Sequence, residues 1–529
     1  MKRFIRVCLT GVLLSSFSTV GVAMAQAVVK VGVSQRDLGA MDPAFGIGNG
    51  DEFPIRQVFN VLVGPKDGTS NLLLDQLQGE LAETWEMAPD ARSFTFHLRK
   101  GVQWHRGYGE VTSDDVAFTI ARMRDPKTGS AYGSNYREVE SVEVPDRYTI
   151  TIRLTKPNPF FYAFALMPRF GGYIQPRKAV EELGDKFRHN PVGSGAFTFA
   201  SYEPKQKVVL RANESYWDGK PKIDTMEVLF LPETASRTIG FVKGDIDMIE
   251  GATVPGWHPS LKRQKPDTVF DAGRPGGTWA FHLNMTRKPL DDLRVRKAIA
   301  HAIDQSAWVA AYGDFVRPIY GLSPVGFYGS MDKDDVPADD WPYVYNPEKS
   351  RKLLAEAGLP NGFSIDMFVT EREEYKSNVL IVQEQLRKVG IQINMRVVEH
   401  TSYHNDIRRD LNSMIMYGSG QAPLTPAVLN AFYSSAAIVG KPTRNMNFSH
   451  YGDLAGNSDA LMDQANQEVD NAKRIALLKQ VQIEIMRQVP SIPMPSPAGN
   501  WMHSGKTLDI GYPVLSYMGT FTLAKARRL

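Results

Sequence analysis

Two histidines and an acidic loop are the residues whose types and spacing come nearest to metal chemistry. His400 and His404 are four residues apart, a spacing that places two imidazoles on one face of a helix, as in many zinc sites. No third ligand is evident near them, and roles in binding hydroxyl groups or at the surface are the alternative. The acidic loop lacks the glycine and the terminal glutamate of a calcium-binding EF-hand. It contains Asp332, Asp334, Asp335, Asp339 and Asp340. We therefore predict no bound metal and no other cofactor.

Motifs for covalent or hydrolytic catalysis are scarce. The sequence has no His-Glu-x-x-His, no Gly-x-Ser-x-Gly and no phosphate-binding loop. The run Gly46-Ile47-Gly48-Asn49-Gly50 is rich in glycine but opens no clear βαβ unit, so we interpret it as a flexible loop at the mouth of a cleft. We therefore predict a protein that binds and hands over a ligand without catalysing a reaction on it.

Aromatic and amide side chains are better candidates for function. A ligand cleft needs aromatic faces for contact area and a few polar groups for orientation. Residues of these types stand at predicted strand ends, turns and loops, although each of them could equally be buried in a core or lie at the surface. The candidates are Phe45, Trp257, Trp279, Phe281, Asn284, Tyr403, Tyr417 and Trp501.

The elements that would position these residues alternate between strands and helices. Phe94, Phe96 and Leu98 alternate with polar residues, which is typical of a strand with one buried face. Residues 364–370, 378–389 and 391–398 form a strand, a helix and a strand, a unit that implies parallel strands. Residues 470–489 predict a long helix, and the proline-rich run 490–497 predicts a connector that cannot continue a helix or a central strand.

The first 25 residues have the features of a secretory signal. Lys2, Arg3 and Arg6 precede a short apolar stretch, and Ala23-Met24-Ala25 is a typical cleavage site. The apolar stretch is well short of the ~20 residues that span a bilayer. Cys8 is the only cysteine, so cleavage would leave a protein without thiol or disulfide. We expect a cleaved signal peptide and a periplasmic location.

Composition sets the size class and the charge. The chain has 529 residues, of which 43% are hydrophobic, enough for two or three separate cores. Removal of the signal would leave 58 basic and 58 acidic residues. A balanced charge gives no general electrostatic reason to bind nucleic acid or anionic lipid. We expect a monomer that binds no nucleic acid.

Several motifs, in order, resemble one protein family. Residues 81–107, which include Trp85 and the run Lys100-Gly101-Val102, are followed by Pro191-Val192-Gly193-Ser194-Gly195 and by Asn213-Glu214-Ser215-Tyr216-Trp217. The most recognisable stretch is 289–304, beginning Pro289-Leu290-Asp291. Together they are similar to the family 5 extracellular solute-binding proteins, which deliver peptides, nickel chelates, opines or short sugars to ABC importers. The resemblance covers nearly the whole chain after the signal.

The resemblance implies a fold and a mechanism. It implies an α/β fold of the type II periplasmic binding protein class (cluster C), with two lobes, a hinge and an extra domain. The expected divisions are residues 1–25 for the signal; 26–60, 190–277 and 495–529 for lobe I; 61–189 for the extra domain inserted in lobe I; and 278–494 for lobe II. The implied function is capture of a small solute between the lobes and delivery to the permease subunits by hinge closure.

Two positions bear on the cargo that the resemblance implies. Peptide-binding members pair an aspartate with the ligand amine, but Gln421 or its neighbours stand there, and no carboxylate occurs between Asp410 and Asp453. A buried ammonium without a counter-charge is costly. Arg372 lies close to where dipeptide binders place an arginine for the ligand carboxylate, and it could form a bidentate pair, or stand exposed beside neighbouring glutamates. The cargo is therefore expected to be an amine-blocked peptide, an opine or sugar conjugate, or an oligosaccharide.

Three alternatives remain at this point. A secreted hydrolase would need paired carboxylates or a nucleophile and base in the cleft. A periplasmic chaperone would bind unfolded chains without closing. A carrier of heme or of a nickel chelate is a variant of the solute-binding interpretation, and no histidine cluster in the sequence requires it.

Overall fold

A computed structural model describes residues 26–46, 49–66, 72–169, 171–270, 277–339, 341–420, 422–441, 446–453, 456–495, 501–511 and 521–529. The strands, in chain order, are β1 (Val28–Val33), β2 (Val63–Pro65), β3 (Leu77–Gly79), β4 (Ala82–Met87), β5 (Ser93–Leu98), β6 (Val139–Asp146), β7 (Thr149–Leu154), β8 (Phe197–Glu203), β9 (Lys207–Ala212), β10 (Thr225–Phe230), β11 (Met248–Glu250), β12 (Thr268–Phe270), β13 (Thr278–Leu283), β14 (Phe363–Thr370), β15 (Ile391–Val398), β16 (Met414–Ser419), β17 (Ser491–Met494), β18 (Trp501–Ser504), β19 (Leu508–Asp509) and β20 (Arg527–Arg528).

The helices lie mainly between these strands. In chain order they are α1 (Asn49–Val58), α2 (Ser113–Arg124), α3 (Phe161–Ala165), α4 (Arg177–Leu183), α5 (Thr234–Lys243), α6 (Trp257–Gln264), α7 (Leu293–His301), α8 (Ser306–Tyr312), α9 (Pro347–Glu356), α10 (Glu373–Arg387), α11 (His400–Arg408), α12 (Thr425–Phe432), α13 (Asp459–Gln467) and α14 (Asn471–Arg487). None of the helices in the described part of the chain is long and apolar enough to cross a bilayer.

A seven-stranded sheet gathers strands from distant parts of the chain. Its order is β12-β18-β11-β1-β10-β9-β8. The central strand β1 is parallel to both neighbours, β10 and β11, whereas the outer strands pair antiparallel. In open α/β sheets, ligands bind outside the carboxyl ends of parallel strands. We therefore expect the carboxyl ends of β1, β10 and β11 to form one wall of a ligand-binding site.

A four-stranded antiparallel sheet occupies the region 82–154, in the order β4-β5-β7-β6. The side chains of Phe94, Phe96 and Leu98 in β5 are buried and alternate with more exposed residues, so the predicted strand is confirmed. These residues share one continuous hydrophobic core with the seven-stranded sheet, which we call the first core.

A second core lies between residues 281 and 494. Its three-stranded antiparallel sheet has β13 between β16 and β17, and α14 packs into it as predicted for 470–489. The proline-rich run was expected to be a connector, but Ser491–Met494 forms strand β17, with Pro493 opposite Ala280. The strand lies at the edge of its sheet, where a proline that cannot donate a hydrogen bond is tolerated.

The strand-helix-strand unit of the second core is confirmed. β14 and β15 pair in parallel along their whole lengths, from Phe363 opposite Ile391 to Thr370 opposite Val398. Helix α10 connects them and buries its Val379, Val382 and Leu386 side chains. Because the two strands run in register, the residues that follow each of them leave the sheet side by side.

The chain passes between the cores where the strands change sheet. β12 belongs to the seven-stranded sheet and β13 to the three-stranded sheet, and the return occurs between β17 and β18. Three side chains from the region assigned by sequence to lobe II, Ala422, Leu424 and Ala427, nevertheless pack into the first core.

A buried ion pair supports a stability prediction. The Arg56 guanidinium donates to both Glu80 oxygens at 3.0 and 2.6 Å, and both side chains are almost fully buried. Burial lowers the pKa of Arg56, but Glu80 more than offsets this and the pKa is raised. We expect Glu80→Gln to lower the free energy of unfolding by about 3–5 kcal/mol, because it removes the negative charge that compensates the buried Arg56 guanidinium.

Chemical denaturation monitored by circular dichroism measures that loss. The matched control is Glu83→Gln, since Glu83 pairs with Arg99 at 3.3 Å on the exposed face of the neighbouring strand. Exposed pairs contribute about 0–1 kcal/mol, so the control should change little. Equal and small effects of the two substitutions would contradict the assigned role of the buried pair.

Candidate functional site

The carboxyl ends of β14 and β15 bring two sequence candidates together. Arg372 follows β14 by two residues, and His400 follows β15 by two. The parallel register places these positions next to each other at one edge of the pair. β16 lies beside β14, and its end carries Tyr417. This edge of the second core therefore contains a guanidinium, imidazoles and aromatic rings.

The Arg372 guanidinium is available for a ligand. Its side chain is 54% exposed, and the nearest paired carboxylate oxygen belongs to Glu374, at 3.7 Å. That distance is long for a charge-assisted hydrogen bond, whose optimum is about 2.7–2.9 Å. The backbone N–H of Arg372 donates to the Thr370 hydroxyl, which fixes the start of the turn. An anionic group can therefore approach Arg372 without first displacing a tight internal partner.

His400 and His404 lie on the first turns of α11, directly beside Arg372. Their Nε2 atoms are 3.1 Å apart, and the rings meet edge to face with centroids 4.4 Å apart. His400 Nδ1 lies 3.0 Å from the Thr370 hydroxyl oxygen. A hydrogen-bonded chain thus runs from the Arg372 backbone through Thr370 to both imidazoles. The described residues contain no group of three or more metal-binding side chains, so the pair lacks a third protein ligand there.

Both histidines favour the neutral form in this environment. Burial lowers the pKa of His400, and the Arg372 charge lowers it further, against the opposing effect of Glu371 and Glu399. Burial, His400, Arg408 and Arg372 lower the pKa of His404 to about 4. In the absence of an anion, the pair therefore carries no positive charge at neutral pH.

Aromatic rings form the floor beside these polar groups. The Trp279 ring lies 5.1 Å from the Tyr375 ring, which in turn lies 5.7 Å from His400. Tyr417 meets His404 edge to face at 5.8 Å. Trp279 pairs across the sheet with Gly418, where a Cβ atom would stand 2.6 Å from the indole. Glycine at 418 is thus required for the tryptophan to lie flat against β16.

The first core supplies the facing wall. Arg237 is buried and donates to the carbonyl oxygens of Leu231, Pro232 and Glu250, at the carboxyl ends of β10 and β11. Burial lowers the pKa of Arg237, and Glu374 of the second core is among the carboxylates that oppose this. The start of α10, which carries Glu374, is therefore close enough to Arg237 for the two charges to interact across the cores.

Trp257 stands on the same wall. Its indole donates to the Thr238 hydroxyl at 3.1 Å and is half-buried. The residue before it, Gly256, donates its backbone N–H to the Ala311 carbonyl of the second core at 3.0 Å. Trp257 is therefore placed at the junction of the two cores.

A second contact between the cores involves other residues. The Phe160 ring packs edge to face against the Tyr328 ring at 4.8 Å. The Arg474 guanidinium stands 4.6 Å over Phe160 and donates to the Tyr328 hydroxyl. The two cores are thus in contact at two separate places.

The remaining candidates are buried or lie elsewhere, although the buried Tyr403 ring is only 5.7 Å from the His404 ring. Phe281, Tyr403 and Trp501 are at most 2% exposed and belong to the two cores, and the Tyr403 hydroxyl donates to the Met416 carbonyl. Asn284 follows the end of β13 opposite Trp279, about 16 Å along the strand, and binds Asp410 at 2.9 Å.

Two further candidates are placed apart from the rest. Phe45 lies under the Arg188 guanidinium at 4.0 Å, within the first core. Gln421 lies outside the described residues. The structure therefore brings together Trp279, Arg372 and Tyr417, with Trp257 on the facing wall.

The site contains one residue that the sequence did not single out and two that it singled out for another role. Tyr375 sits on the first turn of α10 and is the ring that links Trp279 to His400. For His400 and His404 the sequence offers a metal site, with hydroxyl binding or a surface role as the alternative, and His400 does contact the Thr370 hydroxyl. The parallel register of β14 and β15 was the signal that would have placed His400 beside Arg372, because residues after adjacent parallel strands meet at one edge.

Comparisons with known proteins agree with one another. A sequence model of bacterial extracellular solute-binding proteins, family 5, matches residues 76–439. The dipeptide-binding protein of Escherichia coli K12 is 28% identical over 82% of this chain and 83% of its own length. Heme-binding protein A of Haemophilus influenzae is 27% identical over 84% of this chain and 82% of its own length.

A solved structure extends the comparison to the fold. The PBP/SBP MoaA from A. tumefaciens R10, in complex with mannopinic acid, is 33% identical, with a TM-score of 0.81. The match covers 95% of this chain and all of that one. The mixed α/β fold of the type II periplasmic binding class, which the sequence predicted, is thereby confirmed.

Proposed function

The chain belongs to the bacterial extracellular solute-binding proteins of family 5, and we propose that its cargo is one small organic acid, bound between the two cores. Arg372 is the group that carries this proposal, since its side chain is exposed and only loosely paired with Glu374. As a family member, the protein works as the substrate-binding component of an ABC importer. Delivery would then be to the permease subunits of that importer.

Two observations support an acid as the cargo in place of a free-amine peptide. The segment from 411 to 452 contains no carboxylate to pair with a ligand ammonium. The related MoaA structure contains mannopinic acid. A guanidinium with two parallel N–H donors is the side chain best suited to a carboxylate, and the rings of Trp279 and Tyr375 offer apolar area for the rest of the molecule.

Closure of the two cores on the ligand is the proposed mechanism. The division follows the sequence assignment, with residues 26–60, 190–277 and 495–529 in lobe I, 61–189 as the extra domain and 278–494 in lobe II. A ligand that contacts both walls stabilises the closed arrangement by its differential contacts. Residues 1–25 would direct export to the periplasm and be removed, and the protein would work as a monomer without catalysing a reaction.

Isothermal titration calorimetry tests the cargo. We expect mannopinic acid to bind with a stoichiometry of one, and the dipeptide Ala-Ala with free termini to bind at least 100-fold more weakly. At a concentration 100-fold above Kd, the acid should add about 2.7 kcal/mol to the free energy of unfolding. Tighter binding of Ala-Ala than of the acid would contradict the proposal.

A further inference from the structure

The histidine pair has a place in the site that metal binding does not explain. His400 and His404 stand directly beside Arg372, the two Nε2 atoms are 3.1 Å apart, and both rings are only half-buried. Two neutral imidazoles at this distance share one N–H, so that one ring donates and the other accepts. The second nitrogen of His404, Nδ1, is buried without a partner among the described residues.

We propose that Arg372, His400 and His404 together form the subsite for the anionic group of the cargo, and that the histidine pair takes up a proton when this group binds. The inference rests on the proposed function, because it requires an anionic cargo. The class of ligand is an organic acid that presents its carboxylate to the end of β14 and to the first turn of α11.

Electrostatics supplies the reason for proton uptake. With no ligand, a proton on either imidazole faces the Arg372 charge, and protonation of one ring opposes protonation of the other. A carboxylate bound at Arg372 neutralises the guanidinium and adds a negative charge beside the rings. The protonated form of the pair then gains a counter-ion and becomes a charge-assisted donor.

The charged groups of the protein that surround the histidine pair do not act as the counter-ion that the ligand would supply. Glu399 acts to raise the pKa of both histidines and Glu371 that of His400, but burial and the arginines outweigh them. The titratable and charged groups facing the pair are Glu371 and Arg372 after β14, Tyr375 on α10, Glu399, Tyr403 and Arg408 around α11, and Tyr417 on β16. The tyrosines stay neutral, since burial raises the pKa of each.

The sign of the pH dependence follows. The pKa of His404 is about 4 without ligand, and binding of an anion raises it. At pH values where the ligand carboxylate is ionised, affinity therefore falls as the pH rises through the pKa of the pair in the complex. Uptake of one full proton would change Kd tenfold per pH unit, and partial uptake changes it less.

Calorimetry in buffers of different ionisation enthalpy measures the proton uptake, with mannopinic acid as the probe. We expect 0.3–1 proton taken up per acid bound, roughly, at pH 6. The double substitution His400→Gln/His404→Gln should abolish the uptake and flatten the pH dependence, while binding weakens less than in Arg372→Gln. The matched control is His97→Gln, an exposed histidine of β5, which should change neither quantity. Binding without proton uptake in the wild type would overturn the inference while leaving the proposed function intact.

If mannopinic acid does not bind, that result would count against the proposed cargo. A second measurement, made without ligand, then tests the inference. Histidine ring signals in NMR follow the titration of the ligand-free protein. We expect both rings to be neutral at pH 7, and Arg372→Gln to raise their titration midpoints, because the charge that opposes protonation is gone. Protonated rings at pH 7, or midpoints that Arg372→Gln leaves unchanged, would overturn the inference.

Discussion

Replacement of Arg372 by glutamine is expected to weaken binding of the acid cargo at least 100-fold and to leave thermal stability unchanged. The guanidinium supplies the charge and the two parallel donors for the ligand carboxylate, and loss of a charge-assisted contact in an interface costs about 2–5 kcal/mol. Among the described residues, the carboxylate paired with it, Glu374, is 3.7 Å away, and the Arg372 side chain is half-exposed, so the fold loses little. Calorimetry and thermal denaturation of the same preparations measure the two effects.

Arg387→Gln is the matched control for this substitution. Arg387 ends the same helix that follows Arg372, is exposed, and pairs with Glu384 at 2.9 Å. We expect its Kd for the acid to equal that of the wild type. Equal loss of binding in both variants would point to a general electrostatic effect and would count against a specific anion subsite at Arg372.

Replacement of Trp501 by alanine is expected to have the opposite profile, with a large loss of stability and little change in cargo binding. The ring is 2% exposed and stacks on Phe53 at 4.9 Å and against Phe521 at 5.3 Å. Truncation of a large buried aromatic side chain costs about 3–5 kcal/mol, because a cavity remains. Denaturant unfolding measures this cost, and titration at a temperature where the variant is folded measures the Kd.

Trp279→Ala is the matched comparison for Trp501→Ala, because both substitutions replace a tryptophan by alanine. Trp279 is half-buried on the floor of the site, next to Tyr375 and opposite Gly418. We expect a smaller loss of stability than in Trp501→Ala, and weaker binding of the acid by about tenfold, since the ring offers apolar contact area. Loss of binding in Trp501→Ala with unchanged stability would restore Trp501 as a ligand contact.

Much of the fold could be predicted from local patterns. The alternation in β5 and the strand-helix-strand unit around α10 each depend on residues close together in sequence. The proline-rich run near residue 493 was harder, because proline excludes a central strand but tolerates an edge, and only tertiary pairing decides between an edge strand and a loop.

The roles of individual side chains were less predictable than the positions of the helices and strands. An aromatic residue at a strand end looks the same in sequence whether it faces a ligand or a core, which is why Trp279 and Trp501 were grouped although they differ in burial. The pairing of Arg372 with His400 depends on two strand ends brought together in space. Sequence spacing could suggest a shared helix face for the histidines, but not the guanidinium beside it.

The identity of the cargo can be established by native mass spectrometry of the protein purified under non-denaturing conditions from its own host. We expect one small organic acid per chain, released by denaturation, and its absence from Arg372→Gln purified in the same way. A mixture of dipeptides with free amino groups as the bound species would contradict the assignment of an acid cargo held at Arg372.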